Sequence, residues 1–196
     1  MISRHMKIAI AVLALLAIFL AAYNRALKKH AERLQERMVD LRPIAPPVNA
    51  PTQAVTVWVA HDDDGVLHPQ VVKAALPGEP TQRARQVLRS LFSVYLARRS
   101  PHPLGDGSDV DDVYRLGKDT FIIDLNAAFA DGHRSGIFVE ELTMLSIVQT
   151  IATNFPEIHR VKFLVDGKER ETLAGHADLK QFYDVNLVTQ SAKGLQ

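Results

Sequence analysis

His61-Asp62-Asp63-Asp64, followed seven positions after its first histidine by His68, puts imidazoles and carboxylates close enough in sequence to suggest a divalent cation. The local chemistry argues against one. Adjacent carboxylates in a turn point apart, and a calcium loop needs acids at alternate positions and a closing glutamate. His61 and His68 facing each other across a hairpin would supply two ligands at most. A solvated turn is the expectation, and no metal is assigned. A second acidic group, Asp106, Asp109, Asp111 and Asp112, lies in a stretch rich in Gly, Pro and Asp and reads as a solvated loop. In a third, His133-Arg134-Ser135-Gly136 leads into a long apolar run. A helix N-terminus there could receive an anion beside Arg134, but no glycine-rich phosphate loop surrounds it. Ser135 is expected to cap the helix and Gly136 to ease its entry.

Sequence motifs for catalysis are missing. The chain has no cysteine, which excludes disulfides, thiol catalysis, cysteine zinc sites and a cysteine lipid anchor. It contains no G-x-S-x-G, H-E-x-x-H, G-x-x-x-x-G-K-[ST] or G-x-G-x-x-G. A non-enzymatic domain without cofactor or small-molecule substrate is expected. Arg83, Arg85 and Arg89, with Arg98 and Arg99 beyond, make one helix locally basic, and the first three form a candidate partner-binding face. The charge balance is split. Residues 1–53 hold eight Lys/Arg and three Asp/Glu, whereas residues 54–185 hold fourteen and nineteen. An acidic folded part argues against nucleic-acid binding.

The elements that would position these residues follow from periodicity. Val55, Val57 and Val59 alternate with Thr56 and Trp58, as in a strand, and Asp64-Gly65 supplies turn chemistry. The run to Leu76 reads as a second strand, with Pro69 consigning its first part to an edge or bulge. PTQRARQVLRSLFSVYLARR is an amphipathic helix, with Thr81 as its expected N-cap and Ala84, Val87, Leu88, Leu91, Phe92 and Tyr95 as its apolar stripe. YRLGKDTFIIDL gives two strands around Gly117-Lys118-Asp119. FVEELTMLSIVQTIATNF is a long apolar helix that Pro156 ends, and Val161–Val165 is a further strand. The expected fold is an α/β (α+β) sandwich, a small mixed sheet with two helices on one face.

The segment before this domain reads as a membrane anchor. Ile8 to Ala22 is unbroken apolar sequence, about 25 Å as a helix, slightly short of a hydrocarbon core. Bulky Phe19 and Leu20 occupy positions where a cleavage site wants small residues, which favours an uncleaved anchor. Residues 24–41 carry a helical pattern, and RPIAPPVNAPT, with four prolines, reads as an extended spacer. The expected organisation is a cytoplasmic tail at 1–7, a transmembrane helix at 8–23, a helical stalk and linker at 24–53, the domain at 54–185 and a flexible tail at 186–196.

The last third of the domain carries a resemblance. LTMLSIVQTIATNFPEIHRVKFLVDGKERETLAGHADL resembles the C-terminal half of a GerMN domain, the type found in bacterial sporulation and germination proteins. The shared pattern pairs a helix ending T-x-x-x-F-P-x-I with a strand ending V-D-G and then G-H-x-D-L. Here those are Thr150, Phe155, Pro156, Ile158, Val165, Asp166, Gly167, Gly175, His176, Asp178 and Leu179. FIIDLNAAFADGH resembles the family's preceding strand and loop, and PTQRARQVLRSLFS its first helix. The resemblance implies an exported domain whose role is assembly, similar to the ring-building modules of envelope-spanning channels. A structural role follows for the motif residues: Asp166-Gly167 as a tight turn, Gly175 at a positive φ, His176 bonding the backbone to pin the last segment, and Asp178 as a cap.

The resemblance also sets the expected location, a single-pass protein of the cytoplasmic membrane with its domain outside. Arg25, Lys28 and Lys29 after the span oppose that placement by the positive-inside rule. The expected partners are envelope proteins or a second copy of the chain, with the membrane met through the anchor. A module that binds peptidoglycan or other carbohydrate is the alternative, and it would need an aromatic platform.

Overall fold

Ten-residue strands open the domain because alternating valines can bury one face of an extended chain. A computed structural model describes residues 50–194. Strand β1 (Thr52–His61) pairs antiparallel with β2 (Val66–Ala75). Helix α1 (Pro80–Tyr95) follows, then β3 (Val110–Leu116) and β4 (Thr120–Leu125), a short helix α2 (Ala127–Asp131) and the long helix α3 (Ile137–Asn154). Strand β5 (Arg160–Val165), the two-residue β6 (Tyr183–Asp184) and helix α4 (Val185–Gly194) complete the described chain.

The strands form two sheets, β1-β2 and β3-β4-β5-β6, where the sequence suggested one. In the second, β4 and β5 run parallel and the other neighbours antiparallel, so the expected mixed character is present there. The fold is α+β. The division has a physical cause in the outer edge of β1. A strand edge presents unpaired N–H and C=O groups that must find partners. Here α3 supplies them from side chains. Ser146, Thr150 and Asn154 recur every four residues and so share one ridge of the helix. Trp58 N–H donates to Thr150 Oγ1 at 2.9 Å, Ser146 Oγ donates to Trp58 O at 2.6 Å, and Asn154 Nδ2 donates to Thr56 O at 2.7 Å. Ala60 N–H reaches the Tyr95 hydroxyl of α1 at 2.8 Å. Helix side chains thus stand where a third strand would have paired. Pro69 fits the same logic. It lies opposite Trp58, whose backbone groups turn toward α3, so the missing N–H removes no ladder bond.

Apolar side chains of both sheets and of all four helices make one core, with Val57, Leu88, Leu91, Phe121, Ile123, Phe129, Ile147 and Phe163 essentially inaccessible. The sequence boundaries shift in three places. Glu79, not Thr81, caps α1, its carboxylate accepting from Thr81 N–H at 3.0 Å and Gln82 N–H at 2.7 Å, with Pro80 at the first helical position. Ser135 does not cap α3; the N-cap is Gly136 at φ +158°, and its N–H donates to Glu140 Oε1 at 3.1 Å. The expected flexible tail from 186 is helical to Gly194, because Val185 and Val188 bury against the domain. No helix among the described residues is long and apolar enough to cross a membrane. The anchor, the stalk and the linker up to residue 49 lie outside the described residues.

Candidate functional site

The segment from Arg170 to Phe182 has almost no regular structure, so its backbone polar groups need partners from elsewhere. Two buried side chains of opposite charge provide them. Glu140, fully inaccessible in the fourth position of α3, accepts from Ala174 N–H at 3.0 Å and from His176 N–H and Ala177 N–H at 2.9 Å, all on Oε2. Its Oε1 takes the Gly136 N–H and, at 2.9 Å, His176 Nδ1. Burial alone would raise this carboxyl. The hydrogen bonds from His176, Ala177, Gly136 and Ala174 outweigh it and bring the group down to about 2. Lys162 on β5, also buried, donates to Leu179 O at 2.9 Å and Lys180 O at 2.5 Å. The acid gathers N–H groups and the base gathers carbonyls, and between them Leu173 and Leu179 are sealed into the core.

The motif residues fall around this anchor. His176 bonds Glu140 through its ring, and not the backbone as expected, because the buried carboxylate is the stronger acceptor. Gly175 has φ +123°. Asp178 closes a turn, accepting from Lys180 N–H at 2.7 Å and Gln181 Nε2 at 2.8 Å. Asp166 and Gly167 take φ +50° and +69°, a tight turn after β5. Asp166 Oδ1 also accepts the Ala127 N–H that opens α2, and Gly167 N–H donates to the buried Asp124. Sequence reasoning missed Glu140 and Lys162. The acidic pair Glu140-Glu141 near the start of a helix otherwise rich in Leu, Met, Ile and Val was the available signal.

A second buried network has the outline of a hydrolytic triad. Asp62 Oδ1 lies 2.5 Å from His102 Nδ1, and His102 Nε2 lies 2.6 Å from Thr143 Oγ1. His102 and Thr143 are wholly inaccessible, so the hydroxyl cannot meet a substrate. Thr143 also contacts His133 Nε2 at 2.8 Å and donates to Val139 O. Arg134 completes the ring on Asp62 Oδ2 at 2.6 Å. Burial holds both histidines below their ordinary range. For Asp62 burial pushes up, and the hydrogen bonds from His102 and Arg134 prevail and hold it low. The arrangement ties the hairpin turn, the loop after α1 and the loop before α3 to one helix. His133 and Arg134 serve that purpose here, not an anion site.

The arginines expected to form a partner-binding face are largely engaged within the domain. Arg85 is only 6% exposed, Arg89 makes a two-pronged pair with Asp109 at 2.8 and 2.5 Å, and Arg83 donates to Gln53. Desolvation lowers the Arg85 guanidinium, against the attraction of Asp112, Asp109 and Asp111. The basic helix, read as a partner-binding face, and the acidic loop, read as solvated, neutralise one another between α1 and the start of β3. Two charge runs far apart in sequence gave no hint of that.

The hairpin tip departs from expectation in the other direction. His61, Asp64 and His68 come together, with ligand atoms all within 4.8 Å of one another. Beside the anchor, Ile137, Met144, Leu145, Ala177, Tyr183, Leu187 and Val188 line an open groove of about 620 Å³, with Glu141, His176 and Asp178 on its rim. A smaller depression, sharing Tyr183, Leu187 and Val188 with it, reaches Phe182. Ile137, Phe182 and Leu187 are 69%, 46% and 64% exposed. Among the described residues no aromatic platform is assembled: Trp58 donates its indole N–H to Thr153, and the exposed Tyr114, Phe138 and Phe182 sit on separate segments.

The family model described as "Germane: Sporulation and spore germination" matches residues 49–171. The chain belongs to this family. The match spans β1 to β5 and α1 to α3, so it contains the His102 network and Glu140 itself, while the Glu140 partners Ala174, His176 and Ala177 lie beyond it. Among solved structures, the tandem GerMN domains of the sporulation protein GerM from Bacillus subtilis superpose with a TM-score of 0.50 at 22% identity, over 67% of this chain and 45% of that one. This chain therefore spans less than half the length of that tandem structure. The first GerMN domain of the same protein gives 0.49 at 17% identity, covering 66% and 94%. A candidate lipoprotein from Clostridium perfringens gives 0.43 at 15%, covering 72% and 91%. No curated protein matches the chain.

Proposed function

We propose that this Germane domain is a non-catalytic assembly module, held outside the cytoplasmic membrane by the apolar span at 8–23 and joined to a cell-envelope protein through its groove. The observation that carries the proposal is the distribution of polarity. The polar groups with the geometry of catalysis, Asp62, His102, Thr143 and Glu140, spend their bonding capacity inside the domain. At the end of the domain beside the Glu140 network the surface is apolar: Ile137, Leu187 and Phe182 stand in solvent around an open groove. Exposed apolar side chains gathered at one end suit a protein contact. The groove's open, elongated form between α3, the 175–178 loop and α4 suits an amphipathic helix of the partner, with bulky side chains at helical spacing entering it. Family membership supports a role in sporulation- or germination-type envelope processes, and the unbroken apolar run supports the anchor.

Orientation is tested by protease protection of the full chain, tagged at its C-terminus, in spheroplasts. Protease added outside is expected to remove the tagged domain. A tag protected until the membrane is lysed would place the domain in the cytoplasm and end the proposal.

A further inference from the structure

We propose that the tip of the β1–β2 hairpin is a binding site for a borderline divalent transition-metal cation of the Zn²⁺ or Cu²⁺ class, with His61, Asp64 and His68 as ligands. The pairing register builds the site. His61 lies opposite Val66 and Val59 opposite His68, so the two histidines are diagonal neighbours on the same face of the hairpin. Their rings stand 4.4 Å apart at 62°. Asp64 enters from the turn. Its Oδ1 accepts the Val66 N–H at 3.0 Å, which fixes the carboxylate, and its Oδ2 lies 2.7 Å from His68 Nε2. The three ligand atoms fall within 4.8 Å of one another. Tetrahedral zinc, with bonds of about 2.0–2.1 Å, needs them about 3.4 Å apart. Rotation of partly exposed rings by about an ångström closes the difference.

Two further features favour a metal over a chance meeting of side chains. The turn is already rigid: Gly65 N–H bonds His61 O at 2.9 Å, and the neighbouring Asp62 is gripped by His102 and Arg134. A preorganised turn spares the ordering cost of binding. The donor set also selects a class. Two imidazole nitrogens and one carboxylate suit Zn²⁺, Cu²⁺ or Ni²⁺, whereas Ca²⁺ and Mg²⁺ require a shell of oxygens. Three protein ligands leave a coordination position open to water or to a donor from a partner. The bound ion would clip the end of the hairpin, and the inference stands whichever side of the membrane holds the domain.

The test is calorimetric titration of ZnCl₂ into the full chain in detergent, purified without a histidine tag, alongside thermal unfolding. One equivalent of Zn²⁺ is expected to bind and raise Tm. His61→Ala and His68→Ala are each expected to weaken binding by more than about tenfold, since even loss of a contact supporting a ligand costs about that much. His159→Ala, at an exposed histidine elsewhere, should bind as the wild type does. Paramagnetic broadening by Cu²⁺ in the wild-type protein keeps the test open should a variant fail to fold: the His61 and His68 ring signals should vanish before that of His159. Absence of Zn²⁺ binding, equal binding of Mg²⁺, titrations unchanged in both histidine variants, or uniform broadening would each overturn the proposal.

Discussion

Replacing Glu140 by Gln keeps the shape of the side chain and removes the charge that five donors share. A glutamine has one carbonyl oxygen. Its best orientation leaves that oxygen with the N–H groups of Ala174, His176 and Ala177 and turns the NH₂ toward Gly136 N–H, donor against donor. The carboxyl lies at about 2 in the folded chain against an ordinary 4.5. At about 1.4 kcal/mol per pH unit, that difference corresponds to about 3 kcal/mol of stability at neutral pH. A typical domain is stable by only about 5–15 kcal/mol. The sign sets the window. A carboxyl depressed on folding contributes fully above pH 4.5, and its contribution is lost as pH falls toward 2. The wild-type advantage over Glu140→Gln should therefore be about 3 kcal/mol at pH 7 and shrink steadily below pH 4.5. Urea unfolding of the full chain in detergent reads it through Trp58, the single tryptophan. A variant within about 0.5 kcal/mol of wild type at pH 7 would refute the anchoring argument, because a lost charge-assisted bond costs more than that. So would a difference that stays constant down to pH 2.5.

Thr150→Val, equal in shape, leaves the Trp58 N–H without an acceptor and should cost about 1–3 kcal/mol in the same unfolding assay; a neutral result would mean that the β1 edge is not held by α3. Gly65→Ala forces φ +72° on a residue with a Cβ and places that carbon 2.7 Å from the Phe138 ring. A loss of about 1–2 kcal/mol is expected, part of it recovered when Phe138→Ala is added, and a purely additive double variant would exclude the contact. Burial makes His102 and His133 bind protons less readily than in the unfolded chain, so stability should fall as pH drops below about 6.5. His102→Asn should flatten that slope between pH 7 and 5, and an unchanged slope would assign it to other groups.

Much of the fold was legible because it is written in local periodicity. The valine alternation of β1, the stripe of α1 and the Phe155-Pro156 stop of α3 all correspond to elements at those positions. The division into two sheets was not legible. It depends on Ser146, Thr150 and Asn154 capping a strand some ninety residues earlier, and small polar residues in an apolar helix read equally well as filler. The site was partly legible. Asp166, Gly167 and Gly175 show their turn chemistry in sequence, but the partner of His176 was hidden because Glu140 looks like any acid in a first helical turn. The arginine face was misread for a related reason. Helical spacing shows which residues share a side, not what that side meets, and Arg85 and Arg89 meet the acids of β3 and the loop before it.

The claim of a partner-binding groove is tested most directly by placing a photo-crosslinking residue at Ile137 or Leu187 in the full chain, in native membranes, with Lys118 in the β3–β4 turn as the control position. The account predicts one discrete adduct, shared by the two groove positions, containing an envelope protein and missing from Lys118. No adduct from either groove position, or the same adduct from all three, would contradict it.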